Sequence, residues 1–214
     1  MPSLTLPSAS NALAKPSAIN DPVSTSVPRS RYLTFVAIAA MGCALDLLTK
    51  QWIFAWRGPP LGESRKPVWW LWEPFVGIET AVNEGAVFGA GAGWGRLFAL
   101  LSIAAAIGIP VWLFYYRAAA SAWLTVALSC IMAGILGNLY DRLGLWVEPG
   151  MPPGWSSGVR DWILFRWRHE RWTWPNFNIA DSLLVTGAVM LMWQAFRETP
   201  KEAKCDAGEV PRIG

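Results

Sequence analysis

The first thirty residues of the chain carry no hydrophobic period and are rich in Ser, Pro and Ala. That composition predicts a disordered tail. Four apolar segments follow, over about residues 32–56, 94–116, 122–139 and 177–196, and the chain from Arg197 onward is polar again. Each segment is close to the roughly 20 residues that a membrane-spanning helix needs. The pattern therefore predicts a membrane all-α protein of four transmembrane helices, with a core over 31–196, polar tails at 1–30 and 197–214, and a kink at Pro110 in the second helix.

Composition strengthens this picture. Hydrophobic residues make up 53% and charged residues 15%, against about 25% charged in soluble domains. Fifteen tryptophans suit a membrane–water interface. A formal charge of +3 gives no reason to expect nucleic acid as a partner. One histidine, His169, argues against a Ser-His-Asp triad or a multi-histidine metal site. Cys43 and Cys130 lie in apolar runs and Cys205 in the polar tail, with no spacing that suggests disulfides or zinc. Gly42-Cys43 mimics a lipoprotein cleavage site, but the apolar run continues past it. With an even number of spans, both termini share one side. Lys and Arg divide evenly between the two sides, and Arg29 and Arg31 before the first span favour a cytoplasmic amino terminus.

The polar residues inside this apolar frame carry the chemistry. Asp46 and Lys50 stand four apart on the first span. The third span ends in Asn138-x-x-Asp141, and the fourth begins Asn178-x-x-Asp181, each pair on one helix face. Together with the segment NEGAVFG (residues 83–89), these clusters converge near one leaflet. A carboxylate at mid-bilayer costs roughly 2.5–3.5 kcal/mol, so such a gathering points to a site. Asn178 and Asp181 also suit a helix start without any further role. Two close carboxylates share one proton, and such a pair activates water while protonating a carbonyl oxygen. Asp181 is the first candidate. For the second, Arg142 next to Asp141 favours a permanently ionised carboxylate there. Asp161, in GVRDWILF, is followed by an apolar run, and its bland reading is a loop acid paired with Arg160 or Arg166. These considerations leave Asp141 and Asp161 both open.

The motifs DLLTK, NEGAVFG, GILGNLYDR, VRDW and FNIADS resemble those of the lipoprotein signal peptidase (signal peptidase II) family across most of residues 32–196. The resemblance implies an aspartic endopeptidase of the bacterial inner membrane. Such an enzyme removes the signal peptide from a prolipoprotein, just before a cysteine carrying diacylglycerol. It implies a small periplasmic β-sheet between helices 1 and 2, formed from residues 67–89 with Trp69, Trp70 and Trp72 at the interface. It also implies a site near the periplasmic leaflet, both termini in the cytoplasm, and no metal or cofactor. The catalytic acids fall on Asp161 and Asp181. Asp141 falls on a supporting acid; Asn83, Asn138, Arg142 and Asn178 fall on groups that hold the acids or the substrate. Asp46 and Lys50 brace the first helix, and Gly85, Gly137 and Ala180 belong to the same supporting motifs. We expect a monomer whose partners are diacylated prolipoproteins and membrane lipid.

Three departures stand out: Leu47 after Asp46, Arg160 and Trp162 on either side of Asp161, and an apparent insertion at residues 143–158, expected as a loop on the interface. Two other function classes use the same acids. An ion- or proton-coupled transporter needs them along a pathway, and a metal-dependent lipid head-group enzyme needs them around a divalent cation.

Overall fold

The structure is a computed structural model and describes residues 26–62, 66–85, 91, 93–167 and 172–197. Most of the two expected tails, His169, Cys205 and residues 86–89 of the NEGAVFG segment lie outside the described residues. Four helices are long and apolar enough to cross a membrane. They are α1 (Arg29–Arg57), α2 (Gly95–Pro110, continued by a π-helical turn Val111–Tyr115), α3 (Ala122–Arg142) and α4 (Ile179–Arg197). Pro110 supplies no backbone N–H to the helix, and the α geometry gives way to the π turn directly after it.

α3 is the central helix, packed against α1, α2 and α4. Its sequence permits this because small residues line the contact faces. Ala127, Ala133 and Ala180 are fully buried. A Cβ added at Gly134 would meet the Ala180 carbonyl and lie 2.6 Å from the Leu184 side chain. At Gly187 it would lie 2.5 Å from the Ala127 carbonyl, and at Gly42 2.7 Å from the Ala133 methyl. Outward faces are the reverse: Leu33, Val36, Leu100, Leu101, Val185 and Val189 are exposed, as lipid-facing positions must be. Cys43 and Cys130 are free thiols within α1 and α3.

An antiparallel sheet in the order β1-β2-β3-β4 covers one end of the bundle. β1 (Trp69–Trp72) and β2 (Val76–Asn83) lie between α1 and α2, where a sheet was expected. β3 (Val159–Trp167) and β4 (Trp172–Phe177) lie between α3 and α4 and complete it. The sheet is thus larger than the connection between the first two helices supplies, and the fourth helix begins after Phe177, which belongs to β4. Two register shifts flank the middle of β3. Ile78 pairs with Ile163 but Ala81 with Asp161, leaving an extra residue on β2. Ile163 pairs with Phe177 but Phe165 with Trp174, leaving an extra residue on β4. Such bulges bend a strand and re-aim its side chains. The Asn176 side-chain amide donates to the Glu79 carbonyl at 3.0 Å, so the two bulges are tied to each other. At the far end of the sheet, exposed Trp72, Trp167, Trp172 and Trp174 surround a cavity of about 640 Å³.

Residues 143–158, expected as a loop on the interface, are mostly exposed or half-buried, with Leu143 and Leu145 turned outward and Trp155 buried. They close with a 3₁₀ turn at Pro153–Ser157.

The α3–α4 contact sets a testable limit. Gly134→Val overpacks against α4 backbone and is expected to cost roughly 1–3 kcal/mol or more, lowering the thermal midpoint in detergent. Gly108→Ala, where an added Cβ meets nothing within 4 Å, is expected to leave that midpoint unchanged or slightly raised.

Candidate active site

The site is assembled at the sheet-covered end of the bundle, from α1, α3, α4, β2 and β3. On α1, Asp46 and Lys50 are both fully buried and form an ion pair at 2.7 Å. Lys50 Nζ also stands 3.3 Å from Asp141 and donates to Asn138 Oδ1 at 3.0 Å, both on α3. Asp46 Oδ1 accepts the backbone N–H of Ala180 on α4 at 2.9 Å. Gly137 makes this crossing possible, because a Cβ there would collide with the Asp46 carboxylate and crowd the Ala180 methyl. The pair expected to brace the first helix therefore connects three helices.

The start of α4 is a reciprocal cap. Asn178 Oδ1 accepts the N–H of Asp181 at 2.9 Å, and Asp181 Oδ2 accepts the N–H of Asn178 at 3.1 Å. This is the capping-box arrangement, written with Asn and Asp. The helix-start reading of Asn178 and Asp181 is thus satisfied in full. It does not exhaust either residue. Asp181 Oδ1 accepts from Asn138 Nδ2 at 2.8 Å. Asn178 Nδ2 donates to Asp161 Oδ1 at 2.7 Å and lies 3.2 Å from Asn138 Oδ1. One asparagine side chain and backbone therefore hold both Asp161 and Asp181.

Asp161 is the third residue of β3, opposite Ala81, and is buried. Loss of solvent raises its proton affinity well above that of an ordinary carboxylate, and the nearby charge of Asp181 raises it further. Hydrogen bonds from Asn178 and Asn83, and the charge of Lys50, act in the opposite direction with less effect. Asn83, the last residue of β2, also accepts the Gly85 N–H at 3.0 Å.

The hydrogen-bonding partners of the acids are not their sequence neighbours. Arg142 acts on Asp141 through its charge, but the hydrogen bonds to Asp141 come from elsewhere. Its carboxylate accepts the Arg160 N–H at 2.9 Å, Arg160 Nε at 3.1 Å and Arg160 Nη2 at 2.7 Å. Arg160 for its part does not pair with Asp161, since consecutive strand residues point to opposite faces. Arg166 lies over the Trp70 ring. Arg142 donates to the carbonyls of Ser157 and Gly85, tying the NEG segment and residues 143–158 to α3. It also lies within electrostatic range of Asp161, Asp181 and Asp141.

Arg160 is the residue whose importance the sequence concealed. In sequence it stood as a departure beside Asp161 and as a possible partner for that acid, although strand alternation places the two side chains on opposite faces. All the other candidates come together: Asp46, Lys50, Asn83, Gly85, Gly137, Asn138, Asp141, Arg142, Asn178 and Ala180 surround Asp161 and Asp181. Among the described residues, the buried acids, asparagines and cations gather at one end of the bundle, the distribution expected of a site.

Comparison with known proteins agrees with this arrangement. Residues 38–197 match the family model described as Signal peptidase (SPase) II. A lipoprotein signal peptidase from Rhodopirellula baltica is 55% identical over 185 residues, covering 86% of this chain and 81% of that protein. One from Pseudomonas aeruginosa is 40% identical over 121 residues, covering 55% of this chain and 64% of its own length. A solved bacterial membrane enzyme superposes with a TM-score of 0.60 at 27% identity, covering 83% of this chain and 94% of that one. The motif resemblance, the four membrane helices with their sheet and the family match over most of the chain agree: this is a multi-pass membrane peptidase, and the chain belongs to the signal peptidase II family.

Proposed function

We propose that this protein removes the signal peptide from diacylglyceryl-modified prolipoproteins, cutting just before the lipidated cysteine. On this reading it lies in the bacterial inner membrane with its site near the periplasmic leaflet and both termini in the cytoplasm. Its relatives carry the name lipoprotein signal peptidase. The observation that carries the mechanism is the linkage of Asp161 and Asp181 through Asn178.

The chemistry follows from what each acid meets. Burial and the charge of Asp181 favour a proton on Asp161. Asp181 accepts two N–H donors in the first turn of a helix, an environment suited to an anion. Asp181 then acts as base, taking a proton from water as the hydroxide oxygen bonds to the scissile carbonyl carbon. Asp161 gives its proton to the carbonyl oxygen, forming a gem-diol. A proton passes from the acid pair to the amide nitrogen, the C–N bond breaks, and the diol returns its proton to the pair. One proton shared between the two acids is conserved over the cycle. Asn83, Asn138, Asn178 and Arg142 hold the acids and the substrate backbone, while Asp46, Lys50 and Asp141 keep the helices in place around them.

Incubation of purified protein with a diacylated prolipoprotein in detergent, with no ion gradient, is expected to yield the mature form. Asp161→Asn and Asp181→Asn are each expected to lower kcat by about a hundredfold to ten-thousandfold while leaving the protein inserted; normal processing by either would sink the acid pair. Asp141→Asn strips a buried carboxylate from Arg160 and Lys50. It is expected to destabilise by roughly 3–5 kcal/mol and to retain reduced activity when folded.

Linkage gives a further outcome. A carboxyl with raised proton affinity in the folded state contributes stability at low pH that is lost as pH rises through its folded pKa. Asp161→Asn carries no such group. Its thermal midpoint, relative to the parent protein, is therefore expected to rise with increasing pH; a difference independent of pH would argue against a raised proton affinity at Asp161.

A further inference from the structure

We propose that Arg160 is a positioning residue for Asp161, and that Trp146 and Trp155 of the 143–158 segment are the clamp that holds it. The inference rests on the acid-pair reading above. Its basis is the way one short stretch of strand is fixed on both faces.

Arg160 is buried, with 2% of its surface exposed. Its guanidinium forks onto Asp141 Oδ1 through Nε and Nη2, and its own N–H reaches Asp141 Oδ2. The remaining guanidinium nitrogen lies 3.3 Å from Gln51 Oε1 on α1. Three aromatic rings surround its carbon Cζ: Trp146 at 5.3 Å, Phe54 at 5.9 Å and Tyr140 at 6.0 Å. Trp146 in turn stacks on buried Trp155, and its indole N–H donates to the Gly158 carbonyl at 3.1 Å. Guanidinium stacking on aromatic faces combined with a carboxylate fork is geometry that lysine does not reproduce.

On the other side of the same peptide, the Arg160 carbonyl lies 3.3 Å from Asn178 Nδ2, the amide that also holds Asp161. Strand alternation then fixes the consequence. With the Arg160 side chain locked toward α3 and the 143–158 segment, Asp161 is aimed at α4 and Asp181. Small displacements of a reacting group cost large factors in rate, so loosening Arg160 lowers kcat more than it raises KM.

The test uses the full-length protein in detergent, with a diacylated prolipoprotein peptide as substrate. Charged groups around Asp161 are Asp181 from α4, Lys50 and Asp46 from α1, Asp141 and Arg142 from α3, and Arg160 on its own strand. Arg160→Met is expected to lower kcat at least tenfold with KM within about threefold. Because it removes a positive charge, it is also expected to move both limbs of the pH–rate profile to higher pH. Arg160→Lys restores the charge without the fork and is expected to return the pH profile to its original position while recovering kcat only in part. Trp146→Leu opens the clamp with every charge in place and is expected to lower kcat severalfold with an unmoved pH profile. Active protein is counted by inhibitor titration, so loss of folded enzyme is separated from loss of kcat. If Asp161→Asn is inactive and Arg160→Met keeps kcat within twofold, the positioning role is wrong and the acid pair stands. If Trp146→Leu alone keeps full kcat, the clamp is wrong. If Asp161→Asn remains active, the acid-pair reading itself fails.

Discussion

The arrangement depends on one buried ammonium group. Lys50 is fully buried, and in that position it must be neutralised and hydrogen-bonded or it will unfold the helix that carries it. Asp46, Asp141 and Asn138 meet those needs from two helices. Asp141 is then shared with Arg160 on the sheet. Two cations and two carboxylates compensate each other here, and the chain of contacts fixes α1, α3 and β3 in one geometry. An interaction of this kind contributes little net stability compared with apolar packing. Its effect is to exclude other registers between the helices, because any slip strands a charge.

Around that anchor, the fold and the chemistry use the same groups. The Asn178–Asp181 cap begins a helix and simultaneously supplies one acid and the amide that holds the other. Gly137 serves packing by its missing side chain and the site by the carboxylate that fills the space. The bulges on β2 and β4 interrupt the ladder on either side of β3, next to the strand position of Asp161. A catalytic reading and a structural reading of these residues are therefore not rivals. Each side chain has enough polar atoms to do both.

Much of this was legible in the chain. Four apolar runs gave four helices, since length and hydrophobicity are local properties. The N-x-x-D spacing placed amides and acids on common faces because helix periodicity is local too. What escaped was non-local. The second half of the sheet pairs VRDWILFRW with a strand far away in sequence, and its mixture of Trp, Arg and apolar residues does not alternate cleanly. Adjacency showed the charge of Arg142 beside Asp141, but the hydrogen-bonding partner, Arg160, is brought across from β3 by the fold. Residues 143–158 read as an interfacial loop because Pro, Gly and Trp suit one. The burial of Trp155 was not legible because it stacks on Trp146, whose ring covers a cation brought across from β3.

The reciprocal cap at the start of α4 has a consequence for how the protein loses activity. Ends of helices open far more readily than their middles, at a free energy well below that of global unfolding. On the proposed mechanism, opening one turn at Asn178–Asp181 separates the two acids while the rest of the bundle remains intact. The cap and its bonds to Asp46, Asn138 and Asp161 therefore guard activity at one turn. A substrate or inhibitor lying against that turn holds it closed, protecting the catalyst and adding its binding free energy to the folded state.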